Sequence, residues 1–248
     1  MTTPVLEFRN VSKQFGAIHA LDNMDFALMP GEIIGIMGDN GAGKSTTVKL
    51  IAGNFQPTAG EILLGGKSTR FADSLDAREQ GIEVVYQDLA LCDNLTAADN
   101  VFLGREITRR IGPVRILDYR AMADRAAALF AELKSETRPR DLVRMMSGGQ
   151  RQAVAIARTR LTNSRIVLMD EPTAAISVRQ VAEVLDLILR LKDQGVTVVL
   201  ISHRMPDVFT VADRLIVLRR GQKVADKRIA DSSPEEATGL ITGAIERA

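Results

Sequence analysis

Gly38-Asp39-Asn40-Gly41-Ala42-Gly43-Lys44-Ser45 lies between two segments of opposite character. Before it, Ile33 to Met37 is a short unbroken apolar run, the pattern of a strand buried on both faces. After it, Ser45 to Ala52 reads as a helix that ends at Gly53. The eight residues between them satisfy the phosphate-loop pattern at every position. Its glycines let the backbone wrap closely and turn N–H groups toward phosphate oxygens. The helix start adds the positive end of its dipole. Lys44 is placed to reach the β- and γ-phosphates, the Ser45 hydroxyl to ligate Mg²⁺, and Thr46 follows in the same turn. Strand, glycine loop and helix together predict a nucleotide site rather than a turn that binds nothing.

Outward from the loop, the same alternation continues. Val5 to Val11 and, with more noise, Leu21 to Leu28 alternate apolar and polar residues as half-buried strands do. Pro30-Gly31-Glu32 marks a turn, and Glu61–Leu64 and Ile82–Tyr86 read as further strands. The middle then changes character. Thr96-x-x-Asp99 is a capped helix start, Tyr119–Leu133 is an alanine-rich amphipathic helix, Arg138-Pro139-Arg140 is a loop, and Ser147 caps a helix running to about Thr159. This stretch reads as mostly helical. Beyond it come a buried strand at Ile166–Met169 and a helix carrying Val178, Val181, Val184, Leu185, Ile188 and Leu191 on one face, closed by Gly195. Strands follow at Val196–Ile201 and Leu215–Leu218, then a turn at Arg220-Gly221. A short capped helix follows Ser232 at Pro234-Glu235-Glu236. Strands alternating with helices predict a parallel sheet flanked by helices, with a helical insertion.

Composition narrows the class. The chain has 248 residues, 46% hydrophobic and 25% charged, with a formal net charge of +1. That supplies a sizeable core and gives no reason, by bulk electrostatics, to expect a nucleic-acid partner or an anionic membrane surface. No apolar run approaches the roughly 18 residues of a membrane span. Met1 to Asn10 lacks a basic stretch followed by an apolar core, so no secretory leader is expected there. Cys92 is the only cysteine, suits a reducing compartment, and reads as a small core residue.

The strand Ile166–Met169 runs into Asp170 and Glu171. An acid at a strand end can hold Mg²⁺, directly or through water. The next acid points elsewhere and is available to orient or deprotonate an attacking water. Gln87 follows the strand Ile82–Tyr86, and His203 follows Val196–Ile201. In an open parallel sheet the carboxyl ends of the strands face the ligand, so both fall on the nucleotide side. Ser147-Gly148-Gly149-Gln150 makes a second anion-binding nest at a helix start. One nucleotide seldom needs two such nests from one chain, which hints that the second serves another copy. His19 has no such placement.

Taken together, these residues resemble the ABC transporter ATPases, in the family's order and over nearly the whole chain. Gly38–Ser45 resembles Walker A, Tyr86-Gln87 the Q-loop, Ser147–Gln150 the signature motif, Asp170 and Glu171 the end of Walker B and the catalytic base, and His203 the switch histidine. Phe15 stands where the family places a ring that stacks on adenine. The resemblance implies an α/β fold: a P-loop NTPase, RecA-like core with a mostly parallel sheet, an antiparallel β subdomain and a helical subdomain insertion. Its parts would be 1–88 with 160–230 for the core and β subdomain, 89–159 for the helical subdomain, and 231–248 for a helical tail. It also implies ATP and Mg²⁺, with Ser45, Gln87 and Asp170 as metal ligands and Lys44, Gln87, Glu171 and His203 as catalytic groups. Phe15, Gly38 to Thr46, and Ser147, Gly148, Gly149 and Gln150 would bind nucleotide. Two copies would sandwich two ATP molecules head to tail, on the cytoplasmic face of an integral membrane permease received mainly by Leu89 to Arg105. An extracellular or periplasmic sugar-binding protein would act indirectly.

Three positions depart from the pattern. Phe15 is more often tyrosine, and Met146 replaces a leucine. Ala174-Ala175-Ile176-Ser177 stands where many members have Ser-Ala-Leu-Asp. Aspartate-free versions, like the stretches Ser147–Arg158 and Ile201–Phe209, resemble the sugar-importer branch, in particular single-domain ribose- or fructose-type import ATPases. Alternatives are an amino-acid importer ATPase, an iron–sulfur assembly ATPase, or a non-catalytic ATP switch. Glu171 and His203 argue against the last. Repair-type relatives carry long coiled coils between Walker A and the signature. Here about 100 residues separate Lys44 from Ser147, without heptads.

Overall fold

The apolar run before the phosphate loop occupies the middle of the larger sheet. A computed structural model describes residues 3–246 except Asn163 and Ala175. In chain order, β1 (Leu6–Phe15) and β2 (Ile18–Leu28) form a hairpin, β3 (Ile33–Met37) enters the loop, and α1 (Lys44–Ile51) leaves it. Next come β4 (Ala59–Leu64), β5 (Lys67–Thr69), α2 (Ser74–Glu79) and β6 (Ile82–Val85). The middle holds α3 (Ala97–Phe102), β7 (Thr108–Ile111), β8 (Val114–Leu117), α4 (Tyr119–Glu132) and α5 (Gly148–Arg160). The chain returns through β9 (Ile166–Asp170), α6 (Val178–Asp193), β10 (Thr197–Ile201), α7 (Met205–Val211), β11 (Arg214–Arg219), β12 (Gln222–Arg228) and α8 (Pro234–Thr242).

The larger sheet has the order β12-β11-β3-β10-β9-β6, parallel except for β12. The smaller, β2-β1-β4-β5, is antiparallel. Side chains of successive strand residues point to opposite faces, and here both faces are covered. Ile34 and Ile36 join Leu168, Val199 and Ile201 in a core shared with Phe8, Val48, Ile51 and Ile62, so α1 lies between the two sheets. Ile33 and Met37 join Val167, Met169, Val198 and Leu200 in a second core beneath α3 to α6. Two-sided burial is why these strands read as unbroken apolar runs while β1 and β2 alternate.

The helix starts follow their capping residues. Thr96 with Asp99, and Ser147 with Gln150, each form a reciprocal capping box. The middle, read as mostly helical, also holds two strands that the sequence did not announce. Thr108 to Leu117 form a separate two-stranded sheet whose residues are all exposed except half-buried Ile116. With no buried face it has no apolar alternation to read. Cys92 is corrected, lying half-buried in a loop rather than in the core. Met1, Thr2, Arg247 and Ala248, at the ends of the expected segments, and Ala175 in the departing Ala174–Ser177 stretch lie outside the described residues. Among the described residues no helix is long and apolar enough to cross a membrane.

Candidate nucleotide-binding and hydrolysis site

Four neighbouring strands end on one side of the larger sheet, and each releases a candidate residue there. From β3 the chain enters the phosphate loop. Gly43, at φ 106°, caps α1. A Cβ on it would sit 2.6 Å from Leu21 Cδ2 and 2.9 Å from the Ala20 carbonyl oxygen, so conformation and space both require glycine. Lys44 arches back over its own loop, with Nζ donating to the carbonyl oxygens of Gly38 (2.6 Å) and Asp39 (2.9 Å). The ammonium is thus held above the cradle by weakly basic carbonyls that phosphate oxygens can replace. Asp39, Asn40 and Gly41 are exposed at the rim, Ser45 is exposed at the helix start, and Thr46 is half-buried.

Next but one in the sheet, β9 delivers the acids. Asp170 is half-buried, and desolvation raises its pKa; Glu171 adds to the rise, while the Lys44 and Lys49 ammoniums oppose it. A carboxyl pushed up by burial beside another carboxylate is relieved by an added cation. Glu171 adopts the left-handed region, with φ at 50°. Such a conformation costs a non-glycine residue about 1–3 kcal/mol and is held here by an N–H donated to the Ile201 carbonyl (2.9 Å). The bend carries the Glu171 carboxylate, 15% exposed, to within 2.8 Å of His203 Nδ1 at the end of β10. The backbone N–H of His203 donates to the same oxygen at 3.4 Å.

Beyond β6, Gln87 shares a shallow depression with Tyr86, Asp88, Ala90 and Asp170. Its turn is bent by Leu89 and Ala90, both at positive φ (58° and 47°). Phe15 is 41% exposed and meets Phe55 edge to face at 5.1 Å, with the Lys13 ammonium 5.0 Å from the Phe15 ring. The fold therefore brings together Lys44, Asp170, Glu171, His203 and Gln87.

It does not bring Ser147 to them. Ser147, Gly149 and Gln150 open onto a different groove of about 500 Å³, shared with Ser177, Gln180 and Arg190 and with no phosphate-loop residue. Ser147 accepts the Gln150 N–H (3.3 Å), and Ser147 N–H donates to Gln150 Oε1 (3.0 Å). Gly149 is buried against Glu183, and a Cβ on Gly148 would fall 2.7 Å from Ile176 Cγ2.

Sequence reading missed two neighbours of the site, Phe55 and Asp207. Phe55 lies between the ends of α1 and β4, outside any motif. Asp207, buried on α7, accepts the Thr173 hydroxyl (2.5 Å) and pairs with Arg204 (3.3 Å), bracing the segments after Glu171 and His203. Only its spacing of three from Arg204 signalled a helical pair. His19 is exposed, and among the described residues no hydrogen bond or ion pair ties its side chain to this cluster.

A phosphate loop on a central parallel strand, acids on the strand next but one and a glutamate–histidine pair define a P-loop ATPase domain of the ATP-binding cassette type. The chain belongs to the ABC transporter family, whose profile matches residues 21–174, and it is an ATPase that binds ATP. It is similar to the fructose import ATP-binding protein FrcA of Rhizobium meliloti, with 46% identity over 98% of this chain and 95% of that protein. It is also similar to the ribose import ATP-binding protein RbsA of Geobacillus kaustophilus, with 38% identity over 96% of this chain; there it spans only 48% of the relative. Among solved structures, a dimeric ATP-binding cassette in a post-hydrolysis state, bound to ADP and Pi, matches with a TM-score of 0.72. It is 28% identical over 90% of this chain and 98% of that one.

Proposed function

We propose that this chain is the ATP-hydrolysing subunit of a monosaccharide importer, two copies working beneath a separate membrane permease. The observation that carries the reading is the 46% identity, over nearly the full length of both chains, to a fructose import ATP-binding protein. The separation of Ser147 from the phosphate loop supports the pairing. A nest that faces away from its own chain's loop is useful to a nucleotide held by a second copy, and a two-fold pair is the simplest closed arrangement. The dimeric form of the solved relative supports the same reading. A cytoplasmic position against the membrane, an ATP-bound closed pair and an external sugar-binding protein follow from it.

In this reading the backbone of Gly38 to Gly43 and the α1 N-terminus bind the β- and γ-phosphates, and Lys44 exchanges its two carbonyl partners for phosphate oxygens. Ser45, Gln87 and Asp170 form an all-oxygen donor set that fits Mg²⁺, and the upward push on Asp170 is consistent with a carboxylate completed by a cation. Bound there, the ion would offset charge on the transferring phosphoryl group. Glu171 takes a proton from the attacking water, and His203 holds its carboxylate in place. The Phe15 and Phe55 rings carry the adenine. Ser147 and Gly149 close over the nucleotide of the partner copy, and 89–105 receives the permease.

The test is to delete the gene and follow uptake of radiolabelled ribose, xylose, fructose and several amino acids. Loss of uptake of one of the sugars is expected. Loss of amino-acid uptake with every sugar unaffected would overturn the substrate class, and unchanged uptake throughout would overturn the transport role.

A further inference from the structure

The stretch Thr108–Leu117 carries three arginines and no acidic residue, in a chain whose formal net charge is only +1. It forms the hairpin of β7 and β8, closed by Gly112-Pro113. The foot of the hairpin is fixed. Ile107 packs against the core beneath α3 to α6, and its carbonyl accepts the Asp118 N–H at 2.8 Å. Above the foot every residue is exposed except half-buried Ile116. Four residues of strand reach about 13 Å, so the turn stands well clear of its anchor.

Strand register sorts the chemistry along this hairpin. Ile111 lies opposite Val114 beside the turn, and the two side chains, 55% and 57% exposed, share one face. One pair back, Arg110 lies opposite Arg115 on the other face. Like charges placed directly opposite destabilise a strand pair, and no acid in the chain relieves them. Arg110 Nε donates to the Gly112 carbonyl (3.0 Å); among the described residues the Arg109 and Arg115 side chains make no hydrogen bond or ion pair. The acids nearest in sequence are engaged locally: Glu106 accepts the Gly104 N–H and Asp118 the Ala121 N–H. Apolar exposure gathers here as well. Five of the twelve large apolar side chains exposed among the described residues lie between Leu103 and Tyr119. Scattered exposed apolar residues need no explanation, but a local cluster does.

An apolar tip backed by unpaired cations matches a layered surface, with phosphates outside and hydrocarbon beneath. Two apolar side chains are too small a patch for a stable protein contact, which buries roughly 1,200 Å² or more. A nucleic acid would meet the arginines and leave Ile111 and Val114 in water. An anionic bilayer satisfies both, because arginines gain at its surface while apolar side chains enter the headgroup and acyl boundary. The hairpin also follows directly on 89–105, the segment assigned above to the permease. We propose that the β7–β8 hairpin is a membrane-surface contact: Ile111 and Val114 enter the headgroup layer of an anionic bilayer, and Arg109, Arg110 and Arg115 bind its phosphates. The inference deepens the membrane position proposed above by giving this chain a lipid contact of its own, beside any made through the permease.

The experiment is co-sedimentation of the full-length chain with vesicles of phosphatidylcholine alone, or of three parts phosphatidylcholine to one part phosphatidylglycerol, at low and high salt. The unaltered chain should bind the anionic vesicles, and less so at high salt. Arg110→Gln/Arg115→Gln should lower the partition coefficient roughly 25-fold, from about fivefold for each arginine at an anionic surface. Ile111→Ser/Val114→Ser should lower it at least about fivefold, at high salt as well as low. Lys67→Gln/Arg70→Gln, which removes two exposed charges on and beside β5 in the other sheet, should change it less than about twofold. Hydrolysis in free solution should stay within about twofold in all three variants, because none touches the nucleotide site. The thermal midpoint of Arg110→Gln/Arg115→Gln should be unchanged or raised, since a like-charge pair is removed. No binding by the unaltered chain would overturn the proposal and leave the hairpin to a protein partner. Equal binding to both kinds of vesicle, equal loss in the Lys67/Arg70 control, or full binding by either hairpin variant would also overturn it. If a double variant does not fold, Arg115→Glu decides: binding equal to that of the unaltered chain would sink the contact. The vesicles hold no permease, so failure here and failure of the sugar-import reading are separate results.

Discussion

Replacing Glu171 by glutamine changes the site's basicity and almost nothing of its shape. The amide is isosteric, and its oxygen can still accept the backbone N–H of His203, now 3.4 Å from the carboxylate. The left-handed bend at Glu171 is fixed by the backbone bond to Ile201 and survives the change. In the proposed role what disappears is the proton acceptor, and loss of a general base costs roughly 10²–10⁴-fold in rate, about 3–5 kcal/mol of barrier. His203→Ala should cost less. The imidazole contributes one hydrogen bond to a carboxylate, worth about 1.5–3 kcal/mol. Because its side chain is 67% exposed, water can take its place, which puts the loss near the lower end, about tenfold. Phosphate release at saturating ATP and Mg²⁺ gives the rates. Calorimetry checks that both variants bind ATP like the unaltered chain, and sedimentation checks that Glu171→Gln accumulates as an ATP-dependent dimer. A Glu171→Gln rate within tenfold of the unaltered chain would remove Glu171 from the base role. A monomer with ATP bound under stalled conditions would contradict the paired arrangement.

Lys44→Ala should weaken ATP binding at least about tenfold, because in the proposed site it removes charge-assisted contacts to two phosphates; calorimetry with an unchanged affinity would place Lys44 outside the site. Phe55→Ala should lower affinity for ATP and ADP equally, by about 2- to 12-fold if the ring pair is worth 0.5–1.5 kcal/mol to adenine stacking; a loss confined to ATP would argue against a base contact. Asp170→Asn should raise the thermal midpoint of the nucleotide-free chain near neutral pH while stopping metal-dependent hydrolysis. The raised Asp170 pKa means that the folded chain holds the proton more tightly than the unfolded one, so ionisation costs stability. That cost is absent below the ordinary carboxylate range and is fully present above the raised folded value. The stabilisation by asparagine should therefore appear as pH rises through that window, and equal midpoints at both ends would contradict it.

The parts of this molecule that were readable in its sequence are those whose chemistry is local. Ile33 to Met37 announces a doubly covered strand by its composition alone, and the observed strand has the same bounds. Thr96 and Ser147 announce helix starts because a capping residue and its partner lie three positions apart. The parallel alternation placed Gln87, Asp170, Glu171 and His203 on one side without any knowledge of distances. The approach of His203 Nδ1 to Glu171 depends on a bend at Glu171 that a bond from another strand maintains, and 32 residues separate the two. Phe55 is invisible for a similar reason: an aromatic residue in a turn acquires a role only when β1 carries Phe15 to it. The hairpin at Thr108–Leu117 is almost wholly exposed and α7 is only seven residues long, so neither shows a period to detect.

The departing segment before α6 illustrates how local structure separates two roles that one residue can hold. Where many members have aspartate, this chain has Ser177, and Ser177 caps α6. Its hydroxyl accepts the Gln180 N–H (3.5 Å), and its own N–H donates to Gln180 Oε1 (3.0 Å). Serine and aspartate are nearly equal as caps, so the helix start is kept. The arrangement repeats that of Ser147 with Gln150 at the start of α5, and the two helix starts border the same groove. What the replacement removes is a negative charge beside two positive helix ends. Any contact this segment makes with a second copy is therefore made without a carboxylate, and the groove is left more favourable to an anionic ligand approaching Ser147.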